Sequence, residues 1–103
     1  MYFFSIGPSE KDNKKVKVVI FDEKKKRKKT LHIGQVGYQD YLQHKDEERK
    51  LRYIERHQAR EDWKDIMSAA FWARWLLWNK KTIQESIEDI EKRFDLKRIP
   101  SQY

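Results

Sequence analysis

The chain has 103 residues, of which 40% are charged and 38% are apolar, and its formal net charge is +7. This length predicts a single domain spanning residues 1–103, and the absence of cysteine excludes disulfides, cysteine-ligated zinc and thiol chemistry. No apolar run approaches the roughly 18 residues of a membrane span, and residues 1–6 lack the basic start of a signal peptide. We therefore expect a protein that is not secreted and has no membrane span.

The first third of the chain, residues 1–33, is a basic segment that reads as β-structure. Tyr2–Ile6, Lys15–Phe21 and Thr30–Ile33 are rich in β-branched and aromatic residues, which favour strands. The stretch Asp22–Lys29 between the last two runs is expected to be a hairpin connection. It contains no Gly, so a tight two-residue turn is not expected. The segment predicts a small antiparallel sheet of two to three strands.

The segment 34–95 is predicted to form three to four helices, which makes the fold class α+β. Gly34 and Gly37 bracket a break in the chain, and the tail 96–103 shows no periodicity. Ser68 and the capping box Thr82-x-x-Glu85 are typical helix starts. The predicted helices are Tyr38–Gln43, Asp46–Arg60, Ala69–Trp78 and a last helix with an apolar stripe of Ile83, Ile87, Ile90 and Phe94.

The predicted helix over residues 69–78 is apolar on every side except Arg74, so it must be covered on every side. At helical spacing Phe71, Trp75 and Trp78 share one face. A domain of about 100 residues offers only the sheet and the last helix as covers, so some of this surface is expected to need a partner. The aromatic residues assigned to the core or to such an interface are Trp63, Phe71, Trp72, Trp75 and Trp78.

The excess positive charge lies almost entirely in residues 1–32, which hold ten Lys or Arg against four Asp or Glu. A local positive patch attracts polyanions such as nucleic acid or an acidic protein surface. A solvated loop tip is an equally ordinary interpretation of such a run. The residues predicted to bind a partner or a polyanion are Lys24, Lys25, Lys26, Arg27, Lys28 and Lys29.

A second group of cations lies on the predicted helix over residues 46–60. Residues 33–66 hold seven Lys or Arg against eight Asp or Glu, so this region as a whole is weakly acidic. Acidic neighbours argue against nucleic-acid binding, because binding depends on phosphate neutralisation and counterion release. As an alternative DNA-binding group the sequence offers Arg49, Lys50, Arg52, Arg56 and Arg60.

Nothing in the sequence predicts catalysis. There is no Ser/His/Asp order, no Gly-rich phosphate loop and no His-Glu-x-x-His motif. The three histidines are dispersed, and Asp40 with His44 at i,i+4 is weak support for a metal site. The sequence therefore predicts a non-enzymatic binding protein with no cofactor, no metal and no small-molecule substrate.

The residues from Ile33 to Phe94 carry several long motifs. They are Ile33-Gly34-x-x-Gly37-Tyr38-x-Asp40-Tyr41, His44-Lys45-Asp46-x-x-Arg49-Lys50-x-x-Tyr53-Ile54-x-Arg56-His57, Arg60-Glu61-x-Trp63, Ala70-Phe71-Trp72-x-Arg74-x-Leu76-Leu77-Trp78-Asn79-Lys80 and Ser86-Ile87-x-Asp89. This pattern resembles a family of small uncharacterised proteins encoded by large nucleocytoplasmic double-stranded DNA viruses. The chain departs from that pattern at Ala70, where Gly is usual, and at Lys81, where Pro is frequent.

The resemblance implies a viral gene product made in the host cytoplasm or a virus factory and located in the virion. For a small basic protein in that setting, we expect a minor structural protein, associated with the capsid or virion. It would bind neighbouring virion proteins through the aromatic helix and the basic loop. The alternative is a non-specific DNA-binding or genome-packaging protein.

Overall fold

The computed structural model describes residues 1–100, and within them the chain forms a four-stranded mixed sheet and four helices. The predicted α+β class is confirmed, although the sheet has four strands and not two to three. The strands are β1 (Tyr2–Pro8), β2 (Lys14–Phe21), β3 (Arg27–Gln35) and β4 (Leu96–Arg98).

The sheet has the order β3-β2-β1-β4. β1 and β3 pair antiparallel with β2, and β4 pairs parallel with β1. Because side chains alternate along a strand, every second residue faces the helices. The buried residues on that face are Phe4, Ile6, Val18, Ile20, Leu31 and Ile33.

The strand β4 was not predicted, because the tail from Leu96 onward was expected to lack regular structure. In the structure Leu96 lies opposite Tyr2, and the N–H of Ile99 donates to the carbonyl of Phe4 at 2.8 Å. Three residues are too few to show the alternation that marks a strand. The extended conformation of β4 therefore depends on its pairing with β1 and not on a local sequence pattern. The last part of the predicted tail, residues 101–103, lies outside the described residues.

The helices are α1 (Tyr41–His44), α2 (Glu47–Gln58), α3 (Ala69–Trp72), which continues as a π-helical turn over Ala73–Leu77, and α4 (Ile83–Arg93). The predicted caps are confirmed, since the hydroxyls of Ser68 and Thr82 accept hydrogen bonds from the N–H groups of Phe71 and Glu85. The first helix begins three residues later than predicted, and α2 ends two residues earlier. No helix within residues 1–100 is long and apolar enough to span a lipid bilayer.

The core lies between the sheet and the layer formed by α3, the π turn and α4. Phe71, Trp72 and Leu76 are completely buried, and Phe4 lies 4.9 Å from Trp72 between ring centroids. Trp75 and Trp78 are only partly buried, so the expectation that part of this segment needs a partner to cover it stays a prediction. The sheet and α4 cover most of it, and Tyr53 of α2 covers Trp78.

The π turn also changes which aromatic residues share a face. Phe71 and Trp75 both contact the ring of Phe94, at 4.7 and 5.4 Å, as their i,i+4 spacing predicts. Trp78 does not join them, because the π turn closes an i→i+5 hydrogen bond from Trp78 to Ala73 and inserts one extra residue. The predicted common face of Phe71, Trp75 and Trp78 is therefore wrong.

Candidate anion-binding groove

Three arginines of α2 follow one line along the helix. Arg49, Arg52 and Arg56 are spaced i, i+3 and i+7, which places them on one face because an α-helix has 3.6 residues per turn. The side chain of Asp46 caps this helix by accepting the N–H groups of Glu48 and Arg49, and so fixes where the line begins. We call these three residues the arginine stripe.

The arginine stripe has no acidic partner within residues 1–100. No carboxylate oxygen lies within 4.0 Å of its guanidinium groups, although Glu48 and Glu55 belong to the same helix. Its one side-chain hydrogen bond runs from Arg49 Nη1 to Oε1 of the Gln39 side chain at 3.2 Å. Like charges three or four residues apart destabilise a helix by about 0.2–0.5 kcal/mol per pair. Unpaired cations held this close favour an anionic ligand.

The stripe lines a cavity of about 380 Å³, and the other residues that line it are Tyr38, Gln39 and Trp78. A second cavity of about 670 Å³ shares those same three residues. We call the two adjoining cavities the groove. The second cavity is also lined by residues of the sheet edge, of α2 and of the π turn, namely Lys15, Gly34, Gln35, Asp40, Tyr53, His57, Ala73 and Leu77.

A stack of three rings forms one wall of the groove. Trp78 and Tyr53 are parallel, with centroids 4.3 Å apart and an interplanar angle of 3°, and Tyr53 also stacks on His57 at 4.2 Å. His57 Nδ1 lies 2.9 Å from a carboxylate oxygen of Glu61. Burial raises the pKa of Tyr53, so its hydroxyl stays protonated. This wall is aromatic, and the contact between His57 and Glu61 holds one end of it in place.

The opposite wall is the turn that joins β3 to α1. Gly34 and Gly37 have φ of +78° and +96°, the left-handed region that Gly adopts without strain. The ammonium of Lys15 holds the turn, because it donates to the carbonyl of Tyr38 and lies 3.1 Å from a carboxylate oxygen of Asp40. Asp40 is buried, and its second oxygen, Oδ1, has no partner within residues 1–100.

Not all of the predicted DNA-binding group belongs to the groove. Lys50 is turned away, because its ammonium donates to the carbonyl of Asn79 at 2.7 Å and lies 4.8 Å from the ring of Tyr41. Burial lowers the pKa of Lys50. Arg60 lies beyond the end of α2, where its N–H donates to the carbonyl of His57. The structure therefore brings together three of the five, the residues of the arginine stripe.

The predicted basic loop is a turn followed by the start of a strand. The carboxylate of Asp22 accepts the N–H groups of Lys24 and Lys26 at 2.9 Å, and Lys25 has a left-handed φ of 63°. The predicted hairpin between β2 and β3 is confirmed, but its connection is shorter than residues 22–29, because the last three cations, Arg27, Lys28 and Lys29, belong to β3. All six cations, Lys24, Lys25, Lys26, Arg27, Lys28 and Lys29, are exposed.

This basic run and the groove are separate surfaces. The eight residues of β2 lead from Lys14, next to the groove, to Phe21, next to the basic turn. At about 3.3 Å per residue these ends lie roughly 23 Å apart. β3 is also an edge strand of the sheet, and lysines on an edge strand oppose pairing with other chains. Protection of the sheet edge therefore accounts for the lysines of β3 without a ligand.

The predicted aromatic group is divided among three environments. Phe71 and Trp72 are core residues, and Trp78 lines the groove. The ring of Trp75 lies between the guanidinium groups of Arg74 and Arg93, at 4.3 and 4.5 Å, and its Nε1 donates to the carbonyl of Trp63. The Trp63 ring contacts Arg74 at 5.3 Å. Arginines thus cover two of the three indoles that the core does not fully enclose, those of Trp63 and Trp75.

Sequence reasoning missed Tyr38, Gln39 and His57 as residues of the groove. The i, i+3, i+7 spacing of the stripe is visible in the sequence, but the cavity exists only because the turn after β3 and the end of the π turn meet α2. Tyr38 is the most exposed large hydrophobic residue described, at 72%. Among residues 1–100 no group of three or more His, Asp or Glu could hold a metal ion.

Residues 4–57 match the family of unknown function DUF5754, which is more than half of the chain. The chain belongs to this family. The match spans most of β1, all of β2, β3 and α1, and α2 up to His57, so it includes the arginine stripe and Tyr38 but not Trp78. No curated protein and no solved structure matches the chain.

Proposed function

We propose that this DUF5754 protein is a non-enzymatic protein that binds the phosphate backbone of nucleic acid through the arginine stripe. The observation that carries the proposal is that three arginines line one cavity and that their guanidinium groups have no carboxylate partner in residues 1–100. A guanidinium is planar and offers paired N–H donors that fit phosphate oxygens. Phosphate contacts of this kind are independent of sequence.

The number of arginines sets the expected salt dependence. Each neutralised phosphate contributes about −0.9 to the slope of log K against log salt for duplex DNA and about −0.7 for a single strand. Three contacts therefore predict a slope of about −2 to −3. Non-specific affinity at physiological salt lies on the order of 10⁻⁴ to 10⁻⁶ M. Both values are measurable for a protein of this size.

The test compares two triple variants that remove the same charge. Arg49→Gln/Arg52→Gln/Arg56→Gln neutralises the stripe and keeps helix propensity, since Gln and Arg are similar helix formers. Lys24→Gln/Lys25→Gln/Lys26→Gln neutralises the turn instead. Fluorescence anisotropy of a labelled 20-nucleotide strand is measured between 50 and 300 mM salt. We expect the stripe variant to lose at least tenfold in affinity and most of the slope, and the lysine variant to keep both.

Equal losses in the two variants would overturn the assignment to the stripe, because they would show that only net charge matters. Salt-independent binding by the wild type, or no binding, would overturn the proposal itself.

A second function has one observation in its favour. The six cations of the basic run are exposed, and no carboxylate oxygen lies within 4.0 Å of their side-chain nitrogens in residues 1–100. They suit an acidic protein surface, as the resemblance to proteins of large DNA viruses predicts for a minor structural protein of the virion. In the same assay, binding to poly-glutamate that only the lysine variant loses would favour this function.

A further inference from the structure

We infer that the groove takes an unpaired nucleotide, with its base beside Tyr38 and its phosphates on the arginine stripe, so that the protein selects single strands over duplex. This inference rests on the proposed function and specifies its ligand. The observation behind it is the second cavity, which phosphates bound to the arginine stripe would not fill. That cavity, of about 670 Å³, lies within the range of about 300–1,000 Å³ typical of ligand sites.

Tyr38 provides the stacking surface. The residue is 72% exposed, and its ring stacks on no other ring within residues 1–100. Its backbone is nevertheless fixed, because its N–H donates to the carbonyl of Gln35 at 3.3 Å and its carbonyl accepts from Lys15. Proteins that bind single strands combine a cationic groove with aromatic rings on which bases stack.

The second cavity is contiguous with the stripe. Tyr38, Gln39 and Trp78 line both cavities, so one nucleotide can reach a guanidinium with its phosphate while its base enters the larger space. The far wall is the ring stack of Trp78, Tyr53 and His57. A base in a duplex is stacked and paired within the helix, so it cannot enter a cavity in the protein without first leaving the stack. The geometry therefore favours unpaired bases.

Asp40 also lines the larger cavity, and it helps to hold Tyr38 in place. Its side chain is 8% exposed and accepts from the ammonium of Lys15 through Oδ2. The same ammonium donates to the carbonyl of Tyr38. The partly buried ion pair therefore ties the turn that carries the stacking ring to the edge of the sheet.

The π-helical turn contributes the remaining wall. Ala73 and Leu77, its first and last residues, both line the larger cavity. Single π turns within helices occur frequently at functional sites. Here the extra residue of the turn directs Trp78 toward α2 and away from Trp75, and so places the indole in the groove.

The experiment uses the full chain and three probes of equal length: an oligo-dC strand of 10 nucleotides, an abasic strand with the same phosphates, and a 10-base-pair duplex. Affinities are measured by anisotropy at one fixed salt concentration. We expect the oligo-dC strand to bind most tightly. Tyr38→Ala should weaken oligo-dC binding by about 5- to 150-fold, the range for loss of a base-stacking aromatic, and should leave the abasic strand unchanged.

Leu51→Ala is the matched control, since Leu51 is a 57% exposed side chain of α2 that lines neither cavity. It should bind all three probes as the wild type does. Thermal unfolding of both variants checks that neither loses structure. If the three probes bind the wild type equally, or the duplex binds most tightly, the inference is overturned and phosphate binding stands. If none of them binds, the proposed function fails as well.

Discussion

The Trp-bearing segment, formed by α3, the π turn and Trp78, and the arginine stripe of α2 have opposite environments. Phe71 and Trp72 are completely enclosed by the sheet and α4, whereas Arg52 and Arg56 are exposed and meet no carboxylate in residues 1–100. These two aromatic side chains therefore find all of their contacts within the domain, whereas the guanidinium groups have no carboxylate partner in that part of the chain. Burial of apolar area stabilises a fold, while unpaired surface cations are available to a ligand.

This difference separates stability from binding. Substitutions in the Trp-bearing segment should unfold the protein, and substitutions in the stripe should weaken ligand binding at nearly constant stability. Trp78 and His44 connect the two regions, because the Trp78 ring lines the groove and lies 5.3 Å from the ring of His44.

The largest effect is expected from Trp72→Ala. The indole is 0% exposed, contacts Phe4 at 4.9 Å and donates from Nε1 to the carbonyl of Ile66 at 2.7 Å. Its removal should lower the free energy of unfolding by about 3–5 kcal/mol, through lost burial and the cavity left behind. Urea unfolding followed by far-UV circular dichroism measures this change. If the alanine variant does not fold, Trp72→Phe is a milder variant that can be measured in its place. A loss below about 1 kcal/mol for Trp72→Ala would contradict the assignment of this residue to the core.

The antiparallel strands and the long helices could be predicted from local signals, because their patterns are complete within each element. β2 is rich in β-branched residues, and α4 combines the Thr82 cap with buried Ile87 and Ile90. The strand β4 and the π turn could not be predicted. Three residues of β4 carry no pattern of their own, and the π turn depends on how Trp75 and Trp78 pack against different neighbours.

The candidate site was visible in the sequence only in part. Five cations of α2 could be named, but consecutive residues of a helix are about 100° apart, so Lys50 leaves the line that Arg49 begins. The basic run illustrates the converse, since it is dense along the chain yet lies at an edge of the sheet away from any cavity it could share with α2. The larger cavity joins segments distant in sequence, such as Lys15 and Trp78, and no local pattern indicates it.

The next largest loss of stability is expected from alanine substitutions at Gly34 and Gly37, the two glycines of the turn that forms one wall of the groove. A Cβ at Gly34 would lie 3.1 Å from Leu77 Cδ1 and 3.3 Å from Lys15 Cδ, whereas a Cβ at Gly37 would meet no atom within 4 Å. Both have positive φ, so alanine at either position costs on the order of 1–3 kcal/mol in backbone strain. Gly34→Ala should lose more, because it also pushes on Leu77, a residue of the Trp-bearing segment. Denaturant unfolding measures both, and equal losses would show that the contact with Leu77 is easily relieved.

A pH-dependent effect is expected at His44. Its Nδ1 accepts the N–H of Asp46 at 2.9 Å, an arrangement that needs the neutral ring. Burial, and then the positive charge of Arg49, lower the pKa of His44 in the folded protein. Below about pH 6.5 the unfolded chain therefore binds a proton that the folded chain resists, so stability falls as the pH drops through that value.

His44→Asn tests this linkage, because the Asn carbonyl can accept the same N–H and cannot titrate. Melting temperatures of the two proteins are compared between pH 7.5 and pH 5.5. The wild type should lose more stability over this interval than the variant. A parallel decline would assign the pH dependence to other groups.

The smallest change in the free energy of unfolding is expected at the stripe, and it is a gain where the other substitutions cause a loss. Arg49 is the third residue of α2, where a cation is unfavourable to the helix dipole by about 0.3–1 kcal/mol. Its repulsion with Arg52 adds about 0.2–0.5 kcal/mol, and its hydrogen bond to Gln39 is exposed. Arg49→Gln should therefore raise the free energy of unfolding slightly, by up to about 1 kcal/mol. The gain should shrink in 1 M salt, where the Debye length is about 3 Å. A loss above about 1 kcal/mol would place Arg49 among the residues that stabilise the fold, and would remove the contrast between the stripe and the Trp-bearing segment.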